Sequence, residues 1–334
     1  MSGRKYLGPF TEDAHIATKN DLPSGSSSGA ATDTVAKTVS VGNLTLSGEQ
    51  TVNGVSLVSG DLVLVAFQST KSQNGVYAVA SGSWTRQSDW DADADFVYGK
   101  RILVKEGTLF PGTLWAFAQG AAFTLGTTAA LFECLSPVSI KFTADGSCPV
   151  FKRRLFVTMC GGGGGGGGAF GSSSVYISGG GGGGAQAYLE EPVDASLGDV
   201  VSVTVGPGGA AGGTSSGNVG GTGGTSSFGS LLSATGGAGG ERSSASVSGQ
   251  GGVAGGDGGA PGMPGGYSST DTRMSTRGSG GACQLAPGGP FGAKTSQVGE
   301  TGYVYGSGGS GGYSTNSTSR IGGAGAQGIV IVRG

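Results

Sequence analysis

From residue 35 the apolar positions fall in short runs, and polar, Gly or Asn breaks separate them. Val39, Val41, Leu44 and Leu46 precede Gly48, Leu62–Phe67 is a continuous apolar run, and Val76–Val79 follows Asn74-Gly75. Further β-prone runs lie at Arg101–Val104, Leu114–Phe117 and Ala130–Phe132. No run keeps a 3.6-residue period long enough for a helix, so an all-β domain is predicted over 35–137. Asn53-Gly54 and Asn74-Gly75 are turn signals; the runs flanking the second predict a hairpin with a loop longer than two residues.

Beyond residue 137 the pattern changes. Strands are predicted near Ile140–Phe142, Leu155–Met159, Ala187–Leu189 and Asp199–Gly206, and the chain closes with Ile329–Val332. In the fourth, Val201, Val203 and Val205 share one face and Ser202 and Thr204 the other. Between these strands lies a tract dominated by glycine, with eight in a row at Gly161–Gly168 and six at Gly179–Gly184; 59 of the chain's 75 glycines follow residue 160. Ordering glycine costs more backbone entropy than ordering any other residue. Two readings of the tract are open: a Gly/Ser coil, or a packing that only glycine permits. Glycines recur at intervals of three in Gly252/Gly255/Gly258, Gly256/Gly259/Gly262/Gly265, Gly306/Gly309/Gly312 and Gly322/Gly325/Gly328. An extended left-handed helix has three residues per turn and bonds only to its neighbours, so each set lines one edge of such a helix. Collagen is a poor fit, since the Gly-X-Y register lasts only a few triplets and the chain has 11 prolines. A flexible tether would not end in Ile and Val strands, which invite edge pairing. The bracketing strands therefore favour the packed bundle. The predicted fold is a small β-domain followed by a β-framed glycine-rich domain of packed polyglycine II helices, divided as 1–34, 35–137 and 138–334.

Composition narrows the chemistry. A net charge of −2 with 12% charged residues gives no basic track for nucleic acid. Met1–Phe10 has no apolar h-region and no stretch of 18 apolar residues exists, arguing against general secretory export and membrane insertion. Residues 1–34 read as a linker in which Tyr6, Leu7, Phe10 and Ile16 are candidates for an anchoring peptide; a frayed terminus is the alternative. Cys134, Cys148, Cys160 and Cys283 are too widely spaced for a zinc knuckle or a redox pair in CxxC, and are expected to be buried thiols. The sole histidine, His15, excludes a histidine triad and a multi-histidine metal site. Gly288–Thr295 imitates a phosphate loop, but Ala293 separates its Gly from its Lys. Asp89, Asp91, Asp93 and Asp95 alternate, yet Ala94 and Lys100 stand where an EF-hand needs Gly and Glu; a solvated turn is the expected reading. No general acid is marked among these carboxylates or Glu106. No enzyme, cofactor or metal site is therefore expected. A rigid bundle would carry its side chains at its turns, making Tyr267, Arg273, Met274, Arg277, Phe291, Tyr303, Tyr305, Tyr313 and Arg320 candidate contact residues, with local packing the alternative for each.

Two stretches carry a resemblance. Thr45–Val55, Gly60–Val65, Asn74–Tyr77, Gly82–Arg86, Asp89–Asp91, Val104–Thr108 and Trp115 resemble a module of bacteriophage tail-fibre proteins, over roughly 90 residues in register. In that family the module is structural, and its matching positions shape the fold. Val157-Thr158 before the octaglycine, Gly198–Gly209, Gly224–Gly229 and Gly325–Val332 resemble the glycine-rich carboxy-terminal domains of phage tail proteins. Some tail-tip adhesins of that kind pack polyglycine II helices and bind host surfaces through variable loops. The resemblance thus implies a structural virion protein of the tail, made in the host cytoplasm. It implies attachment to other tail or baseplate proteins through residues 1–34, self-association as a trimer, and contact with a bacterial surface glycan or outer-membrane protein. A non-adhesive baseplate, tail or head-surface component is the alternative.

Overall fold

A computed structural model describes residues 34–171, 176–214, 218–244, 247, 249–260, 267–268, 278–285, 287–288, 298–315 and 317–334. The anchoring candidates Tyr6, Leu7, Phe10 and Ile16 lie outside these residues, whereas Thr34–Gly334 forms one compact unit. The architecture is all-β, with an amino-terminal β-domain and a β-rich glycine region.

The amino-terminal part holds two four-stranded sheets. One orders Thr34–Ala36, Arg101–Val104, Thr113–Phe117 and Phe132–Cys134; the other orders Thr38–Val39, Leu62–Val65, Gly75–Ala78 and Thr85–Arg86. The expected hairpin is the antiparallel pair Leu62–Val65 with Gly75–Ala78. Its loop is long because Asn74 is not a turn corner. Asn74 is buried, donates to Ala66 O (3.1 Å) and Ala130 O (2.9 Å), and accepts from Gln68 N (2.9 Å), tying three segments together. Asn53-Gly54 does form a two-residue turn, both residues at positive φ (50° and 77°), joining Thr51–Val52 to Val55–Ser56. The alternating aspartates build turns: Asp95 Oδ2 accepts from the Asp91 and Ala92 amides, and Asp93 Oδ1 from the Leu125 amide at 2.7 Å.

Each tryptophan is buried with its indole N–H partnered: Trp84 to Gly48 O, Trp90 to Thr34 Oγ1 and Trp115 to Thr113 Oγ1, all at 2.9 Å. Trp90, Phe96, Phe117 and Phe132 meet edge-on or tilted at 5.4–5.7 Å between centroids. The apolar core does not stop at residue 137. Phe110 packs edge-on against Phe151 at 5.3 Å, and one continuous cluster runs on to Leu155, Val193, Phe228, Val330 and Val332.

Two further four-stranded sheets frame the glycine region. One orders Ser139–Phe142, Ile329–Arg333, Arg154–Cys160 and Ala187–Asp194; the other orders Gly146–Pro149, Val200–Thr204, Ser226–Phe228 and Leu232–Ala234. The last strand is inserted antiparallel between two early ones, with Val332 opposite both Ile140 and Val157. The carboxy terminus therefore locks the region shut.

Inside this frame the glycines are ordered by hydrogen bonds that rotate with period three. The amides of Gly162 and Gly165 donate to Gly224 O and Gly221 O; those of Gly163 and Gly166 to Ala326 O and Gly323 O; those of Gly164 and Gly167 to Gly183 O and Gly180 O, all at 2.8 Å. Their carbonyls accept in the same rotation from Gly237 and Gly240, from Gly209 and Gly212, and from Gly309 and Gly312 at 2.8–2.9 Å. The octaglycine is thus the axis of a hexagon of six segments. Gly179–Ala185 is a second such centre, donating to 306–312 and 238–260 and accepting from 164–167, 252–255 and 281. The spacing predicted in Gly322/Gly325/Gly328 is a bonded edge, with the three amides on Gly212 O, Gly209 O and Gly206 O at 2.8 Å. Gly252 and Gly255 donate to Gly181 O and Gly184 O, but Gly258 leaves the register through a positive φ of 76°. Gly262 and Gly265 lie outside the described residues. Among the described residues there is no α-helix. These segments belong to no β-ladder either.

Candidate functional site

The lattice has two ends. At the frame end, Cys160, Gly206, Ser226, Thr235 and Gly328 meet: Ser226 Oγ donates to Cys160 O (2.7 Å), and the Gly328 amide to Gly206 O (2.8 Å). The far end lies just beyond Gly168. There the Ser243 amide donates to Gly168 O (3.1 Å), and Ala169 and Arg320 exchange amide hydrogen bonds at 2.7 and 3.0 Å. A three-stranded sheet of Tyr267–Ser268, Tyr176–Ser178 and Tyr313–Ser314 closes this end.

Of the nine contact candidates, the five that are described fall at both ends of the lattice. Tyr267, Tyr313 and Arg320 are placed at the far end by the backbone pairs Tyr267–Ile177, Tyr313–Ser178 and Arg320–Ala169. Tyr313 is only 3% exposed and so offers almost no surface for contact. Arg320 is half-buried. Arg273, Met274, Arg277 and Phe291 lie outside the described residues. Tyr303 and Tyr305 are at the opposite, frame end, because Gly302 and Gly306 donate to Ala324 O and Gln327 O (both 2.9 Å). Tyr303 is 63% exposed, while Tyr305 is half-buried with Lys141 Nζ 5.2 Å from its ring centre.

Two far-end residues escaped the sequence reading. The Arg242 guanidinium sits 5.4 Å from the Phe170 ring centre, its Nη2 donates to Thr214 O (2.8 Å), and its Nε is buried with no hydrogen-bond partner among the described residues. Hydroxyls complete the corner: Ser243 Oγ accepts from the Phe170 amide and Ser319 Oγ from the Gly171 amide, both at 3.0 Å. The available signal was positional: Phe170 comes two residues after the octaglycine, and Arg242 is a lone cation between glycine-rich stretches. The result is a small aromatic, cationic and hydroxyl-bearing corner, suited to stacking and hydrogen bonding.

Carboxylate chemistry fares differently elsewhere. An open groove of about 610 Å³ has Asp194, Asp199, Val200 and Leu231 in its walls. Asp194 is held below the usual carboxylate range, first by its hydrogen bond to Arg154 at 2.8 Å. That is the reverse of what a general acid needs. Asp199 is paired with Lys71. No group of three or more His, Cys, Asp or Glu side chains is gathered for a metal among the described residues, and no helix there is long and apolar enough to cross a membrane.

A family model described as a glycine-rich domain matches residues 143–334. No curated protein matches the chain.

Proposed function

The chain belongs to the glycine-rich domain family, and from that premise we propose that it is a structural, non-enzymatic virion protein of a bacteriophage tail, in the fibre or tail tip, that attaches the particle to the host surface. Residues 1–34 join it to other tail or baseplate proteins, 35–137 form the fibre-type module, and 138–334 are the host-facing domain. The glycine segments are polyglycine II helices. Supporting this are the period-three rotation of both donors and acceptors and the lack of any positive φ in Gly161–Gly168, as a three-residue left-handed helix requires. The chain works as a trimer, and several copies turn weak contacts with a bacterial glycan or outer-membrane protein into firm adsorption.

The observation that carries this reading is the far end of the lattice. Supporting it, the backbone lattice brings the half-buried Phe170, Arg242 and Arg320 together at one end. The test is adsorption of the full-length assembled protein to susceptible and resistant cells. Arg242→Ala and Phe170→Ala are expected to lower binding to susceptible cells at least tenfold without moving the unfolding midpoint. Equal binding to both cell types, or unchanged binding by both variants, overturns the adhesive reading.

One observation favours the non-adhesive alternative. Val35, Leu103 and Leu114 form a row across three strands of the first sheet, continued by Leu135 just past the fourth, and Val35 and Leu135 are 46% and 51% exposed. Such a row suits packing against another virion protein. If Leu103→Lys abolishes incorporation into particles while the far-end variants leave adsorption intact, the protein is a structural filler.

A further inference from the structure

The four cysteines are all reduced and buried, but they are not equivalent. Cys148 is isolated in the core, and burial pushes its thiol up to about 12. Cys160 and Cys283 form a pair. The Cys160 thiol is hydrogen-bonded to Cys283, which together with burial pushes it far above the ordinary thiol range. A methyl group added at Gly306 would stand 2.9 Å from the Cys160 sulfur and 3.0 Å from the Cys283 sulfur, so both sulfurs press on one point. Gly306 has φ of 76° and lies over them with no side chain. Around the pair, Ala187, Ile329, Leu285, Tyr305 and Ile331 make a small apolar pocket. The Cys283 thiol also donates to Tyr305 O at 3.0 Å, and Cys283 is bridged to Gly259.

The position matters as much as the contact. Cys160 ends the frame strand Arg154–Cys160, immediately before the octaglycine, while Cys283 lies in a late lattice segment. We propose that Cys160 and Cys283 are an oxidative cross-linking site, a latent disulfide that rivets the glycine lattice to its frame. The oxidant is a small hydroperoxide. Cys283, 5% exposed against 0% for Cys160, takes the oxygen first. The peroxide O–O bond breaks, the Cys283 sulfur is oxidised to a sulfenic acid, and the peroxide is reduced to water (or to an alcohol). The Cys160 sulfur then attacks the sulfenic sulfur, an S–S bond replaces the S–O bond, and the hydroxyl leaves with the Cys160 proton as a second water. The link closes a loop containing both glycine runs, which restricts the unfolded chain far more than the folded one.

The experiment treats the full-length, reduced, folded protein with hydrogen peroxide. Thiols are then counted after denaturation and linked peptides mapped by mass spectrometry. The expected result is a fall from four thiols to two, with one intrachain Cys160–Cys283 linkage. The chemical unfolding midpoint rises, and a reductant returns it to its starting value. Cys160→Ala and Cys283→Ala each abolish the linkage and the rise; Cys134→Ala and Cys148→Ala leave both. Persistence of four thiols, linkage through Cys134 or Cys148, linkage only between chains, or oxidation past the sulfenic stage without linkage overturns the proposal. Mapping on the unsubstituted protein decides the matter even if a variant does not fold.

Discussion

At the scale of single residues, the glycines are held by contact rather than by turn geometry. A Cβ on Gly165 would lie 1.9 Å from Ala210 O, and on Gly163 2.0 Å from Ser307 O, both backbone atoms that cannot move aside alone. Gly82 is exposed and has nothing within 4 Å of the same position. Gly165→Ala is therefore expected to lower stability by about 3 kcal/mol through overpacking, and Gly82→Ala by no more than about 0.5 kcal/mol. Denaturant unfolding of the two variants checks this; equal midpoints would mean that the six-neighbour lattice is not formed. Asn53 and Asn74 make a complementary point. The same Asn-Gly dipeptide is a tight turn at one site and a buried three-way staple at the other, because only at Asn74 do Ala66 O and Ala130 O come within reach. Local sequence is identical; what surrounds it differs.

At the scale of elements, the strand Ile329–Arg333 has more to hold than its length suggests. It pairs with Ser139–Phe142 on one side and Arg154–Cys160 on the other, and Val330 and Val332 are fully buried. The apolar run made the strand legible, but its insertion between two early strands is a long-range pairing no local pattern encodes. Val330→Asp places an unpaired carboxylate in that core, with an expected cost of about 3–5 kcal/mol. A wild-type unfolding midpoint for this variant would show that the strand is not inserted. The period-three glycines were legible in the same way. Their spacing named the edges, and the partners Gly212, Gly209 and Gly206 for Gly322, Gly325 and Gly328 emerged only from the fold.

At the scale of the whole molecule, the shared core makes a prediction about cooperativity. Phe110 against Phe151, and the cluster from Trp90 to Val332, join residues on both sides of 137/138. Burying each such side chain is worth about 1.5–3 kcal/mol, so the two parts are expected to unfold together. All three tryptophans precede residue 120 and report on the first part, while amide exchange of Gly162–Gly167 reports on the second. Their denaturation midpoints should coincide. Two separated transitions would mean that the contact across 137/138 contributes little. The candidate contact residues belong to this scale too. Candidates chosen by residue type and expected place at turns fall, for the five that are described, at both ends, since successive segments run to opposite ends of the lattice. Phe170 and Arg242, 72 positions apart in the chain, were brought together for the same reason.

Composition and spacing alone established that this chain is all-β, that strands bracket its glycines, and that glycine edges repeat every third residue. Those properties reside in backbone freedom and side-chain alternation, which are local. The tertiary structure decided which carbonyl each glycine amide meets, which cysteines touch, and which aromatic and cationic residues share an end. Each of those depends on segments far apart in the chain approaching to the distance of a hydrogen bond, which the missing side chains allow but do not direct.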